Sequence, residues 1–222
     1  MSARLQELPL FPLHSVLLPY QALPLHIIEE RYREMVRDCL DEDRPFGVVL
    51  IREGSEVGDP GAVPYMVGTT ARIVSHKTLP DGQMHVLTMG EGRFRIRRLD
   101  YSRPYPVGYV EPIVEMDVAE SPNTSRLVNR AKDAFRMHLD ALFGRQGVEL
   151  TVRFTDDPMA LSFAMAGCVQ LSLMEKQRLL EITDTSERIR EIIPLLERQA
   201  LEAVGNGQRS LLEVYAQFYS RN

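Results

Sequence analysis

The sequence of 222 residues has little cysteine, and its two thiols, Cys39 and Cys168, lie among apolar residues at helical spacing. Cysteines in that setting act as small hydrophobes, so we do not expect a disulfide scaffold. No apolar stretch reaches the roughly 20 residues of a membrane-spanning helix, because Arg, Asp or Glu interrupts each candidate. The polar residues 1–7 lack the apolar core of a signal peptide. We therefore expect a soluble, cytoplasmic protein.

The sequence also lacks an excess of basic charge. Its formal net charge is -5 at pH 7, and neither half of the chain, divided at Asp117, is basic. Proteins dedicated to nucleic acid need a basic surface that neutralises phosphates. The composition therefore disfavours a nucleic-acid partner, whereas 44% of hydrophobic residues is ample for a buried core.

Motifs for catalysis and nucleotide binding are missing as well. The sequence contains no G-x-x-x-x-G-K-[ST] phosphate loop and no G-x-S-x-G elbow. The glycine cluster Gly90-Glu91-Gly92 has no following lysine, so we interpret it as a turn. His76 and His85 flank a predicted hairpin and are placed to face each other across it, but two ligands do not make a zinc site. We predict no catalytic residue, no cofactor and no metal.

Signals for β structure dominate residues 8–117, where short apolar runs alternate with proline and glycine. The opening run 8–13 (LPLFPL) contains two prolines, which remove backbone donors and predict an edge strand or an extended arm. The pair Asp81-Gly82 between two β-branched runs predicts a hairpin. The apolar residues of 29–40 recur at helical spacing and share one face, which predicts a helix that packs on the sheet. Further strands are predicted at 47–51, 67–74, 93–99 and 107–114.

After Asp117 the apolar period changes to that of a helix. Four helices are predicted from their capping residues at Ser121-Pro122, Asp157-Pro158, Ser172 to Glu175 and Asp184 to Glu187. The first should end at Gly144, and the last should be kinked or broken near Pro194. We therefore predict two domains, a β-rich domain over 1–117 and a helical bundle over 118–222.

Two sets of side chains invite a functional interpretation. Arg93, Arg95 and Arg97 alternate with apolar residues, which indicates either a site for acidic peptide or nucleic acid, or a solvated strand face paired with carboxylates; we favour the second. Methionines in the helical half suit a peptide groove or a core, and their helical spacing favours the core. They are Met137, Met159, Met165 and Met174.

Taken in order, these segments resemble the N-terminal substrate-recognition domain of the Lon protease family. The resemblance extends over residues 8–196 and begins with 8–13, 16–19 and 23–27. Ile28 and Glu30 depart from it, standing where the family often has Phe and Pro, and Pro194 is unexpected within a bundle helix. Further matches are Phe46-Gly47-Val48, Val67-Gly68-Thr69, residues 92–96, Tyr105-Pro106 and Glu175-Lys176-Gln177.

The resemblance implies an α+β fold, in which a PUA-like β pseudo-barrel with one packed helix precedes an all-α bundle. It also implies a stand-alone, non-catalytic module that binds unfolded or extended polypeptides and lacks the Lon ATPase and protease. Such a module would act as an adaptor in protein quality control. The predicted peptide-binding site is the polar face of the first helix, at Glu30, Arg31 and Glu34. The sequence indicates no structural role for these three residues.

Two alternatives stay open. PUA-like barrels also occur in RNA-binding proteins, and Arg93, Arg95, Arg97 and Arg98 would then contact RNA, although fold analogy is a weak argument for function. The other alternative is a small-molecule enzyme with a pocket at the domain junction. The sequence does not define the oligomeric state.

Overall fold

The computed structural model describes residues 5–56, 62–116, 121–143 and 152–206, with only the backbone described at 204–206. Contacts divide the chain into two units. The first comprises the described residues of Met1–Val114 and Leu171–Glu181, and the second those of Glu115–Gln170 and Ile182–Asn222. Within the described ranges, no helix is long and apolar enough to cross a membrane.

The predicted strands and helices occur in the predicted order, and two further strands, Ala22–Ile27 and Val63–Pro64, were not predicted from the sequence. The strands are β1 (Gln6–Leu13), β2 (Ala22–Ile27), β3 (Phe46–Glu53), β4 (Val63–Pro64), β5 (Val67–Thr78), β6 (Met84–Asp100) and β7 (Val107–Pro112). The helices are α1 (Glu30–Asp41), α2 (Pro122–Phe143), α3 (Pro158–Cys168), α4 (Leu173–Glu181) and α5 (Thr185–Asn206).

The first unit is a sheet that closes on itself. The strands pair in the order β1, β7, β6, β5 and β3, and β3 then pairs in parallel with β1. β2 adds to β6, and β4 adds to β3. The apolar face of α1, including Tyr32, Met35 and Val36, joins the buried cluster inside this sheet. The predicted pseudo-barrel with one packed helix is confirmed.

The proline-rich strand β1 lies between two strands, although the sequence predicted an edge strand or an extended arm. Its residues 6–9 pair with β7, and its residues 10–13 pair with β3. Each half therefore pairs on one side only. Pro9 and Pro12 are tolerated because a proline without an N–H still fits where one side of the strand makes no ladder.

β6 runs without interruption through Gly90-Glu91-Gly92, so the turn predicted there is wrong. A Cβ atom on Gly90 would lie 2.5 Å from the carbonyl oxygen of Leu18, which only glycine avoids. The register of β5 against β6 shifts between Thr69 and Ala71, opposite these glycines. The glycines thus accommodate a bulge and a close backbone approach inside one long strand.

The hairpin predicted at Asp81-Gly82 is confirmed. Gly82 has φ +83°, in the left-handed region that glycine occupies without a steric penalty. The backbone N–H of Gln83 donates to Oδ1 of Asp81 at 3.0 Å. These local bonds fix how β5 returns as β6.

The predicted helix starts are also present. The N–H of Thr124 donates to the hydroxyl of Ser121 at 3.1 Å, and the N–H of Met159 donates to Oδ1 of Asp157 at 2.9 Å. α5 continues through Pro194, so the helix is not broken there, and the alternative of a kink stays a prediction. The predicted end of α2 at Gly144 lies outside the described residues.

α4 packs on the sheet of the first unit. Its capping box is formed as predicted, with the Ser172 N–H donating to Glu175 Oε2 at 2.8 Å. The side-chain amide of Gln177 then donates to the carbonyl of Val67 in β5 at 3.1 Å. α4 therefore belongs to the first unit. The domain boundary between 117 and 118 remains a prediction.

In the second unit, α5 packs against α2 and α3 around a buried arginine. Arg188 is fully buried, and its guanidinium carbon lies 4.0 Å from the ring centroid of Phe163. The guanidinium donates four hydrogen bonds, to Ser162 Oγ (2.8 Å), Ile182 O (2.7 Å), Thr185 Oγ1 (3.0 Å) and Glu115 Oε2 (3.1 Å). Arg188 thereby joins three segments of this unit.

The helical methionines divide between interior and surface. Met165 is fully buried, as predicted, but Met137 and Met174 are 44% and 56% exposed. The core prediction is wrong for those two, because helical spacing defines a face without defining what covers it.

We predict that Gly90→Ala lowers the free energy of unfolding by about 1–3 kcal/mol, because the added methyl group meets a backbone carbonyl that cannot move freely. Gly92→Ala is the matched control, since its Cβ would lie 3.9 Å from Thr70 Oγ1, in ordinary van der Waals contact. Urea denaturation of both variants measures the difference. Equal stability of the two would contradict the close approach at Gly90.

We also predict that Arg188→Met destabilises the chain by about 3 kcal/mol, because it keeps much of the volume but removes the guanidinium hydrogen bonds to the Glu115 carboxylate, the Ile182 carbonyl and two hydroxyl groups. Arg190→Met, on an exposed position of the same helix, should change stability by less than about 0.5 kcal/mol. Thermal and urea unfolding followed by circular dichroism test both. Similar effects of the two substitutions would refute the role of the network.

Candidate functional site

The outer face of β2, β6 and β5 carries the candidate site. Along β6, residues 84, 86, 88 and 90 are buried and residues 85, 87, 89 and 91 are exposed, as expected for a strand with one face on the core. Two of the exposed positions are apolar, Leu87 and Met89, and each is 38% exposed. This is unusual, because the wet face of an antiparallel sheet is normally polar.

Neighbouring strands extend the apolar surface. Pro24 of β2 lies opposite Leu87, and Ala22 lies opposite Met89. On the other side, β5 shifts register between Ile73 and Ser75, which leaves Val74 as a bulged residue that is 58% exposed. We call this surface the outer patch. It consists of Ala22, Pro24, Val74, Leu87 and Met89.

Tyr20 lies at the edge of the outer patch in a strained conformation. Its φ is +65°, and its side chain is 51% exposed. Its N–H donates to the carbonyl of Gly90 at 2.8 Å, and the Gly90 N–H donates to the carbonyl of Gln21 at 2.8 Å. These bonds hold Tyr20 beside β6. A left-handed conformation costs a residue with a side chain about 1 kcal/mol or more, and such strain concentrates at functional sites.

Basic side chains border the outer patch toward the hairpin. His26 of β2 lies opposite His85 of β6, with ring centroids 4.7 Å apart and ring planes at 85°. Lys77 of β5 lies opposite His85 on its other side. The expectation that His76 faces His85 is wrong, because His76 lies opposite Val86. Among the described residues, Nε2 of His26 has no hydrogen-bond partner although it is buried.

The opposite border is charged but paired. Arg72 of β5 lies opposite Met89, and its Nε donates to the carboxylate of Glu91 at 2.5 Å. Its Nη1 also lies 3.8 Å from a carboxylate oxygen of Asp43. Positive charge at this border is therefore compensated.

The first helix holds the residues that the sequence predicted to bind peptide. Glu30 forms ion pairs with Arg33 and, at 3.1 Å, with Arg37. The side chain of Arg31 is 14% exposed and pairs with Glu29 at 3.1 Å, and Glu34 is half-buried. Glu30 and Arg31 thus have structural partners that their sequence positions did not reveal. Their role in peptide binding, with Glu34, stays a prediction.

The four arginines of β6 do not form one exposed cluster. Arg93 is 4% exposed and donates to the carbonyl of Leu180 at the end of α4, so it does not lie on a solvated face. Arg95 is half-buried. Arg97 pairs with Glu111, and its hydrogen bond holds the pKa of the Glu111 carboxyl below the usual value. The guanidinium carbon of Arg98 lies 3.7 Å from the ring centroid of Tyr109.

Two features of the described residues bear on catalysis and metal binding. Burial raises the pKa of the Cys39 thiol to about 11, so at neutral pH it is protonated and a poor nucleophile. Among the described residues, no group of three or more His, Cys, Asp or Glu side chains is placed to hold a metal ion. The absence of catalytic residues, cofactor and metal stays a prediction for the whole chain.

Sequence reasoning missed the outer patch. A signal was present, because Val86 and Leu87 are adjacent apolar residues, and successive residues of a strand point to opposite faces. One of the two had to face away from the core. The neighbours that complete the patch come from β2 and β5, and their register becomes known only from the structure.

The fold places this chain among β pseudo-barrel proteins of the PUA-like class. A family model described as the ATP-dependent protease La (LON) substrate-binding domain matches residues 7–198. The chain belongs to this family.

Individual relatives agree with this assignment. Lon protease 1 of Thermus thermophilus is 31% identical over 198 residues, which cover 86% of this chain and 24% of that protein. Lon protease 2 of Myxococcus xanthus is 29% identical, with 87% and 24% covered. The chain thus spans about a quarter of the length of these curated relatives, and the family match is to their substrate-binding domain.

A solved structure shows the same fold. The Lon N-terminal domain protein from Xanthomonas campestris superimposes with a TM-score of 0.64 at 30% identity, covering 85% of this chain and 98% of that one.

We predict that Tyr20→Asn leaves the chain at least as stable, with a gain of up to about 1 kcal/mol, because asparagine adopts positive φ more readily than tyrosine. Urea denaturation measures the change. Gln21→Asn, at the next position, is the control for a polar substitution in the same segment. A loss of stability above about 1 kcal/mol in Tyr20→Asn alone would show that the tyrosine ring stabilises the fold by packing.

Proposed function

We propose that this chain is a non-catalytic module that binds exposed apolar segments of polypeptides through the outer patch. The observation that carries the proposal is the apolar outer face of a sheet whose opposite face already packs on the core. Apolar side chains clustered on a protein surface mark interaction sites, because water covers them at a cost in free energy.

The expected strength of binding suits a module that must release its ligand. Burying partly exposed side chains such as Leu87, Met89 and Val74 contributes about 1 kcal/mol each at roughly 25 cal/mol per Å². Ordering an extended peptide offsets part of this gain. Weak and reversible association with many sequences follows, and the flexible side chain of Met89 adapts to different partners.

Similarity to the Lon family supports the proposal from a second direction. The matched region carries the description of a substrate-binding domain. The named relatives are proteases. We propose that this chain contributes only the recognition of polypeptides, as an adaptor in protein quality control. RNA binding has less support, because Arg93 is buried and Arg97 is paired with Glu111.

Binding to a labelled, unstructured peptide rich in leucine tests the proposal. We predict that Leu87→Ser combined with Met89→Ser weakens binding about tenfold, since roughly 1.4 kcal/mol of apolar contact is lost. Fluorescence anisotropy measures the dissociation constant. A control peptide with serine in place of leucine should not bind measurably to the wild-type chain or to the double variant.

Leu201→Ser is the matched control. Leu201 is 70% exposed on α5 in the second unit, so its replacement removes the same kind of side chain from a residue that is not part of the outer patch. It should leave binding unchanged within about twofold.

Tyr20→Asn should weaken peptide binding while the fold stays intact. Indifference of the wild-type chain to leucine-rich peptides would overturn the proposal.

A further inference from the structure

Resting on the proposed function, we infer that His26, His85 and Lys77 form a carboxylate-binding row beside the outer patch. The preferred ligands are then extended polypeptide segments in which an Asp or Glu accompanies the apolar residues. The row is defined by cross-strand register, because His26, His85 and Lys77 are direct neighbours on β2, β6 and β5.

The spacing of the row matches an extended peptide. His85, Leu87 and Met89 are alternate residues of β6 on the same face. Alternate residues of a strand repeat every 6.8 Å or so. Side chains of an extended ligand have the same period, so a ligand along β6 that places apolar groups on Met89 and Leu87 brings its next side chain on that face to His85.

The chemistry of the row suits a carboxylate. A lysine ammonium offers three donors, and an imidazole offers at least one N–H in either protonation state. A carboxylate accepts such bonds on both oxygens, and charge-assisted bonds are the stronger ones.

Neighbouring carboxylates in the chain are engaged elsewhere. Glu29, at the start of α1, pairs with Arg31 at 3.1 Å, and Glu30 pairs with Arg37 at 3.1 Å. In the hairpin turn, the carboxylate of Asp81 accepts the N–H of Gln83. The other border of the outer patch is compensated, because Arg72 pairs with Glu91. The basic end of the patch therefore complements an acidic ligand group.

Two labelled peptides test the inference. One carries a leucine pair with an aspartate at the next alternate position, and the other carries asparagine there. At low ionic strength the wild-type chain should bind the aspartate peptide about fivefold more tightly, a ratio typical of partly exposed charged contacts. Added salt should remove most of this preference.

The double variant His85→Gln, Lys77→Gln should bind both peptides alike, with the affinity of the wild-type chain for the asparagine peptide. Arg52→Gln is the control, because it removes one exposed positive charge of β3 and should keep the fivefold preference. Circular dichroism confirms that each variant is folded.

The outcomes separate the two proposals. Equal binding of both peptides to the wild-type chain, or a preference that survives in the double variant, overturns the carboxylate row and leaves the apolar site standing. Failure of both peptides to bind overturns the proposed function together with this inference.

Discussion

Strand alternation along β6 is the constraint on which both the fold and the candidate site depend. β6 pairs with β5 along much of its length, and on its other side with β2 and then with β7. Its inward residues enter the buried clusters of the first unit. Its outward residues form the centre of the outer patch. A slip of one residue would exchange the two sets, so the packing that specifies the core also positions the surface.

Local chemistry explains which parts of the fold could be predicted from the sequence. The turn at Asp81-Gly82 and the caps at Asp157 and Ser172 depend on residues within a few positions of each other, and all of them are formed. The interpretation of Gly90 as a turn failed because glycine serves turns and close approaches equally, and the close approach involves Leu18 far away in the sequence.

Surface chemistry was harder to predict, because pairing partners decide it. Glu30 was expected to have no structural partner, but it pairs with arginines of its own helix. Arg93 was expected on a solvated strand face, but it is buried and donates to the carbonyl of Leu180 in α4. His26 and His85 are far apart in sequence and become neighbours only through the β2 to β6 register. The family resemblance anticipated the architecture, whereas it carried no information on these contacts.

The placement of α4 means that the first unit is discontinuous in sequence. A fragment that ended before α4 would keep every strand but would lose the helix whose Leu180 carbonyl receives the Arg93 guanidinium. The Val67 carbonyl would also lose its donor from Gln177. The covering of one sheet surface therefore depends on the later part of the polypeptide having been synthesised.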